Sequence, residues 1–334
     1  MNVVRPPPAH HAPEGGFRNP WPDSEPRSWS EAMRWWRERR KHNLAPSPSP
    51  GSFPSATPMI SYPRAETADF TATWVGHSTV LLQMGGLNIL TDPVFSLRAS
   101  PVQWTGPRRL MDPALALDAL PPLDVVLLSH NHYDHLDKPA VRRLARAHPG
   151  AAWIVPLRLG AYIRGWGVSE PIELDWWQQA HVRGLHVTAT PSRHFSARRV
   201  GDRMKTLWCG YAFETPGQRV YFAGDTAYHP QLGEIGARCG PFDLVMMPIG
   251  AYDPRWFMHV MHLDPEEAVQ AYLDLTASRG GAAPVMLALH WGTFRLTDEP
   301  MDEPPRRAAA AWREKMLDES RLWIAKFGET RRLR

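Results

Sequence analysis

Three imidazoles and a carboxylate fall within six residues in His130-Asn131-His132-Tyr133-Asp134-His135. The segment directly follows a short apolar run, Asp124–Leu128, of the kind that forms a buried strand. Alternation at a strand end puts His130 and His132 on one side. The turn that follows can swing Asp134 and His135 to an adjacent point. Such a set suits two metal ions a few ångströms apart better than one. Further donors stand where other apolar runs end: His194 after Leu185–Thr190, Asp225 after Val220–Ala223, and His290 after Val285–Leu289. Imidazole and carboxylate without sulfur favour Zn2+, with Mn2+ or Fe left open by the donor types. The expected arrangement has His130, His132 and His194 on one ion and Asp134, His135 and His290 on the other. Asp225 bridges the two. A water between two such cations would lose a proton near neutral pH, since a bound metal lowers its pKa to roughly 7. The resulting hydroxide is the expected nucleophile, which gives Asp134 and Asp225 a catalytic part as well. No Ser-His-Asp triad or activated cysteine is needed. Asp92, in Leu90-Thr91-Asp92-Pro93, also ends a strand; it either takes the free N–H of a ligand histidine or simply shapes a turn. Tyr133, between two ligands, either faces substrate or packs.

These donors need strands and turns to hold them. Phe70–Val75 and Val80–Met84 read as strands, and Gly85-Gly86 turns the chain into Leu87–Leu90. Trp153–Leu157, Pro171–Leu174, Leu207–Glu214 and Phe242–Ile249 read likewise. Lys138–Ala147 is helical in pattern. Asp264-Pro265-Glu266-Glu267 begins a helix, with a capping Asp and acids in the first turn. A charged helix is expected from Pro305 to Leu322. Hairpins first, then strands alternating with helices, in two similar halves, give an α/β chain of stacked sheets with helices outside.

The motifs resemble the metallo-β-lactamase superfamily, and more closely the N-acylphosphatidylethanolamine-hydrolysing phospholipase D family with its bacterial relatives. The resemblance rests on the HxHxDH segment, Trp74-Val-Gly-His-Ser-Thr79, Leu90-Thr-Asp-Pro-Val-Phe95, Ile172-Glu-Leu-Asp-Trp-Trp177, Phe222-Ala-Gly-Asp-Thr226, Pro248-Ile-Gly-Ala-Tyr252 and His290-Trp-Gly-Thr-Phe294. It covers about residues 68–300, with a weaker echo at Asn19-Pro20-Trp21. It implies a four-layer αββα sandwich, two Zn2+ ions, and hydrolysis of a phosphodiester to a phosphatidic acid and an N-acylethanolamine. The family's ligands fall on the seven positions named above. Its catalytic histidine, before Asp-Pro-Glu-Glu, falls on His262, at a helix start where it could bind phosphate or protonate a leaving oxygen. The family carries Gln before that histidine; this chain has Met261, which removes a polar contact.

Composition limits the alternatives. The 334 residues are 43% hydrophobic with a net charge of +4, which excludes wholesale disorder and gives no nucleic-acid signature. Two cysteines cannot build a disulfide scaffold. No apolar run approaches the roughly 18 residues of a spanning helix, and the N-terminus lacks a leader-like stretch. A cytoplasmic protein, free or peripheral on the inner face of the membrane, is the expectation; a homodimer is left open. Residues 1–60 form a Pro/Trp-rich arm and 61–334 the hydrolase domain. The arm holds Trp29, Met33, Trp35 and Trp36 among Arg34, Arg37, Arg39, Arg40 and Lys41, capped by Ser28 or Ser30. That pattern fits either an interfacial helix against anionic lipid or a strap with its tryptophans inward. The expected partner is a phospholipid or other phosphodiester. A lactonase or similar hydrolase of small soluble molecules is the alternative enzyme, and a non-catalytic metal scaffold the alternative class.

Overall fold

Period-two alternation sorts the strands of the first half onto two faces. These are β1 (Phe70–Gly76), β2 (Thr79–Met84), β3 (Leu87–Thr91), β4 (Val125–Leu127), β5 (Ala152–Pro156) and β6 (Ile172–Leu174). Val80, Leu82, Ile89, Val125, Leu127 and Ile154 point into the core between two sheets. Their neighbours Leu81, Leu90, Val126, Trp153 and Val155 point the other way, under helix α2 (Lys138–Ala147). Each such fully buried aliphatic contributes about 1.5–3 kcal/mol relative to exposure. The structure, a computed structural model, describes residues 7–41, 43–277 and 282–333. The Met1–Pro6 stretch, part of the basis for expecting no leader, lies outside the described residues.

The second half supplies β7 (Gln179–Val182), β8 (Leu185–Thr190), β9 (Gly210–Thr215), β10 (Gln218–Phe222), β11 (Leu244–Pro248), β12 (Val285–Leu289) and β13 (Leu322–Trp323). A final strand, β14 (Thr330–Arg332), returns to pair antiparallel with β1. The two seven-stranded sheets run β14-β1-β2-β3-β4-β5-β6 and β13-β12-β11-β10-β9-β8-β7. Each sheet is part antiparallel and part parallel: β3 to β6 and β10 to β13 run parallel. The outer face of the second sheet is covered by α3 (Leu232–Cys239) and α4 (Pro265–Thr276), with α5 (Glu303–Glu314) against α4. The layers are therefore the αββα sandwich expected.

Boundaries differ from the sequence reading in three places. The last helix stops at Glu314, not Leu322; Met316 takes a left-handed φ of 53°, and Asp318 caps a short turn that leads into β13. The strand expected from Leu207 starts at Gly210, because Leu207 and Cys209 donate across to Leu157 and Ser129 of the first half. The edge strands β7 and β14 carry mostly polar residues and gave no apolar run to read.

The Trp-rich helix α1 (Trp29–Arg39) forms, capped by Ser28 in a capping box with Glu31. Trp35 faces inward: its ring stacks on Phe257 at 5.0 Å and its N–H donates to Asp298 at 2.6 Å. Trp29 is 79% exposed, and Met33 and Trp36 are exposed too. Ahead of the helix, His10 and His11 bond the two oxygens of Asp175 at 2.6 and 2.8 Å. Trp21 stacks between Trp176 and His229.

Candidate metal centre

In open α/β sheets ligands gather beyond the carboxyl ends of strands. Seven polar segments meet there, at the seam of the two sheets. His77 follows β1, Asp92 follows β3, and the His130–His135 loop follows β4. His194 follows β8, Asp225 follows β10, His262 lies on the connection after β11, and His290 follows β12. Gly224 makes the approach possible. It holds φ +60°, and a Cβ there would lie 2.7 Å from the Ser129 Cβ and 3.0 Å from the Cys209 carbonyl. The strand end thus lies directly against the His130 loop, which delivers Asp225 across the seam.

All seven expected ligands converge. His130 Nε2 lies 2.9 Å from His132 Nδ1, which lies 3.1 Å from His194 Nε2. Asp134 Oδ2 lies 3.5 Å from His135 Nε2 and 3.4 Å from His290 Nε2. Asp225 Oδ2 stands between the groups, 3.8 Å from both His130 and His194 and 3.1 and 3.2 Å from His135 and His290. Donors about 2.0–2.1 Å from one tetrahedral ion lie roughly 3.3 Å apart, so these spacings fit two cations sharing one carboxylate. A second observation agrees. Buried His135 Nε2, both His290 ring nitrogens and Asp225 Oδ1 have no hydrogen-bond partner. Buried polar atoms are rarely left so, and each unmet one costs about 1–3 kcal/mol. A cation bound between His135 Nε2 and His290 Nε2 would satisfy both; His290 Nδ1 is on the far side of its ring.

The rear of the site fixes ring orientations. Asp92 accepts from Ser129 N at 2.7 Å and Ser129 Oγ at 2.6 Å, and its Oδ2 lies 2.7 Å from His135 Nδ1. Ser129 Oγ also meets His130 Nδ1 at 2.9 Å. His194 Nδ1 is 2.8 Å from the Met261 carbonyl, and Asn19 donates to the His194 carbonyl at 2.9 Å. Each partner leaves the opposite ring atom free to face the centre. His262 Nδ1 faces Asp225 Oδ2 at 4.0 Å without a hydrogen bond. Tyr133 turns away: its hydroxyl donates to the Arg198 carbonyl at 3.0 Å, under the Arg198 guanidinium.

Charge in the cluster is divided. Burial opposes ionisation of Asp134 and Asp225, but the neighbouring histidines outweigh it and hold both well below the usual carboxylate range. Burial likewise works against charge on His135 and His290, and the two carboxylates overcome it, raising His135 well above its ordinary value and His290 to about 9. His130, His194 and His262 are held down chiefly by burial, and His132 to about 3. The carboxylates thus demand positive charge that protons on His135 and His290 supply, and a cation would displace those protons.

The Beta-lactamase superfamily domain matches residues 87–291. The chain belongs to the metallo-β-lactamase superfamily. It is a metal-dependent hydrolase of that fold. Among superfamily relatives, it is 38% identical over 244 residues to N-acyl-phosphatidylethanolamine-hydrolyzing phospholipase D 1 of Caenorhabditis elegans, covering 70% of this chain and 67% of that one. It is 34% identical over 245 residues to the mitochondrial N-acyl-phosphatidylethanolamine-hydrolyzing phospholipase D of Saccharomyces cerevisiae, spanning 70% of this chain and half of that one. Among solved structures, Igni18, a metallo hydrolase from Ignicoccus hospitalis, superposes with a TM-score of 0.60 at 21% identity, over 79% of this chain and 98% of that one.

One member of the cluster had no assigned role in the sequence. His77 Nε2 lies 3.1 Å from Asp134 Oδ2, and its ring is 4.1 Å from that of His290. It is buried at a left-handed φ of 55°, and burial holds its imidazole at about 3. Its position at the end of β1, in the turn before β2, was the available signal: β3, β4, β8, β10 and β12 likewise lead into a donor.

Proposed function

We propose that the chain is a dinuclear zinc phosphodiesterase of phospholipase D type, acting on an N-acylphosphatidylethanolamine-like phospholipid. The observation that carries this reading is the pair of donor groups sharing Asp225, in a chain 38% identical to a phospholipase D of that name. His130, His132 and His194 would hold one ion; Asp134, His135 and His290 the other; Asp225 both. Two bound cations supply an acidified water and a positive cradle for phosphate. Asp92, Ser129 and the Met261 carbonyl keep the ligand rings aimed. Burial disfavours charge on the His262 ring, and a neutral imidazole has one N–H to donate. Its approach to Asp225 supports a part at the leaving oxygen. Met261 is buried beside it; its side chain offers no polar contact to a headgroup, so acyl and headgroup choice rest on other contacts.

No described helix is long and apolar enough to cross a membrane. Exposed Trp29, Met33 and Trp36 among arginines support contact of α1 with a lipid surface, with Trp35 as its anchor to the domain.

The test is metal analysis followed by turnover. Purified protein should carry about two metal ions and release N-acylethanolamine from vesicles. His262→Ala should lower that rate by about 10²–10⁴ with metal content unchanged. Hydrolysis confined to soluble lactones would replace the phospholipid reading with the soluble-substrate one.

A further inference from the structure

We propose that a basic groove beside the metal centre binds a phosphomonoester dianion through a stripe of cations on α2. The groove is a cavity of about 520 Å³, within the size range of small-ligand sites. Lys138, Arg142 and Arg146 line it at i, i+4 and i+8, one face of the helix. Arg199 joins them from the loop after His194. None of these four makes an ion pair among the described residues, whereas Arg143 on the same helix is held by Asp118 at 2.6 Å. Like charges at helical spacing weaken a helix, so a stripe of them with no acidic partner serves something other than α2. Asp137 is the one acid in the wall, and it is already engaged. It accepts from Phe95 N, Ser96 N and Ser96 Oγ at 2.9, 2.7 and 2.8 Å.

The wall opposite α2 is built and rigid. Arg198 donates to the carbonyls of Asn131 and Leu136 at 3.0 and 2.6 Å and lies 4.0 Å over the Tyr133 ring. Because Tyr133 stands between His132 and Asp134, the groove is joined to the metal loop while containing none of its seven ligands. The N-terminus of α2 adds the positive end of its dipole. Four cations without an ion pair among the described residues, two of them guanidiniums one turn apart on α2, call for more than the single charge of a phosphodiester. A phosphomonoester carries nearly two charges at neutral pH and takes paired N–H donors from arginine. Such a group can be a lipid headgroup or a soluble phosphate. Exposed Trp104 and Val200 stand one residue beyond the lining residues Gln103 and Arg199, apolar tips beside the cations. The groove would act in this way whichever bond the metal centre breaks.

Two probes present one headgroup in both forms: glycerol 3-phosphate in solution, and phosphatidic acid in phosphatidylcholine vesicles. Calorimetry and vesicle sedimentation are run on the metal-loaded full chain and on the Arg142→Ser/Arg146→Ser variant. The variant should lose about tenfold in affinity, and wild-type binding should fall steeply with salt. Arg146→Ser alone should lose about threefold, an independent reading. Its melting temperature should stay within a few degrees of wild type, relieved repulsion offsetting the weaker helix propensity of serine and the lost charge at the helix C-terminus. Loss for both probes assigns the groove to phosphate as such; loss for vesicles alone assigns it to the lipid headgroup. Wild-type protein binding neither probe, variants binding as wild type does, or a short oligonucleotide outbinding both probes would overturn the proposal.

Discussion

Asp92 carries two loads with one carboxylate. It receives two bonds from Ser129, which anchors the His130 loop, and it faces the rear nitrogen of His135. Asp92→Asn keeps the shape but replaces one acceptor with a donor, so His135 loses the partner that fixes its ring. Metal affinity should fall about 10–100-fold, measured by titrating stripped protein with zinc. His229 invites a different test. It is fully buried against Trp21 with neither ring nitrogen bonded, and burial, with Arg193 nearby, depresses its imidazole to about 3. A histidine depressed in the fold binds fewer protons than in the unfolded chain. Its cost is absent above the ordinary value near 6.5 and grows as pH falls toward 3. His229→Phe should therefore unfold less readily than wild type in acid, by about 2 kcal/mol near pH 5, and urea midpoints at pH 7 and pH 5 would measure the difference. The proposed ligand residues were legible because they cluster in the loops that follow apolar runs. The bonds that aim them were less so. Met261 acts through its carbonyl, which every residue has, and the sequence left Asp92 divided between turn and support until the 2.7 Å contact to His135 gave it the second role as well.

Elements decide how close those residues come. The end of β10 reaches the His130 loop only because Gly224 has no side chain. In Gly224→Ala the new methyl would meet Ser129 at 2.7 Å on a left-handed backbone. The variant should lose about 1–3 kcal/mol of stability, seen by thermal unfolding, and should bind metal less tightly because Asp225 is pushed from the seam. Strands that pack on both faces were easy to read, and Leu185–Thr190 and Val285–Leu289 fall where expected. Edge strands were not: Gln179–Val182 and Thr330–Arg332 are stabilised by neighbours, which short-range pattern does not encode. The last helix ended early for a related reason. Its charged pattern runs on, but Trp312 turns its N–H to the Asp318 carbonyl, closing the chain back toward β13.

At the scale of the molecule, the centre belongs to neither half. The first half gives His130, His132, Asp134 and His135; the second gives His194, Asp225 and His290. Neither group completes the proposed two-ion centre without the other, so metal binding would report on the packing of one sheet against the other. One tie between elements far apart in sequence is β14. It lies along β1 with Thr71 opposite Arg332 and Thr73 opposite Thr330, and Leu333 N donates to Phe70 O at 2.8 Å. Removing residues 330–334 should cost about 2–3 kcal/mol from the lost backbone bonds, read as a lower urea midpoint. The same pairing sets a timetable during synthesis. The strand that leads to His77 leaves the ribosome well before β14, so its outer edge stays bare while the strands of both sheets between them are translated. An uncovered edge invites pairing with a neighbouring nascent chain, so slow or stalled elongation should harm the yield of this protein more than its equilibrium stability would suggest.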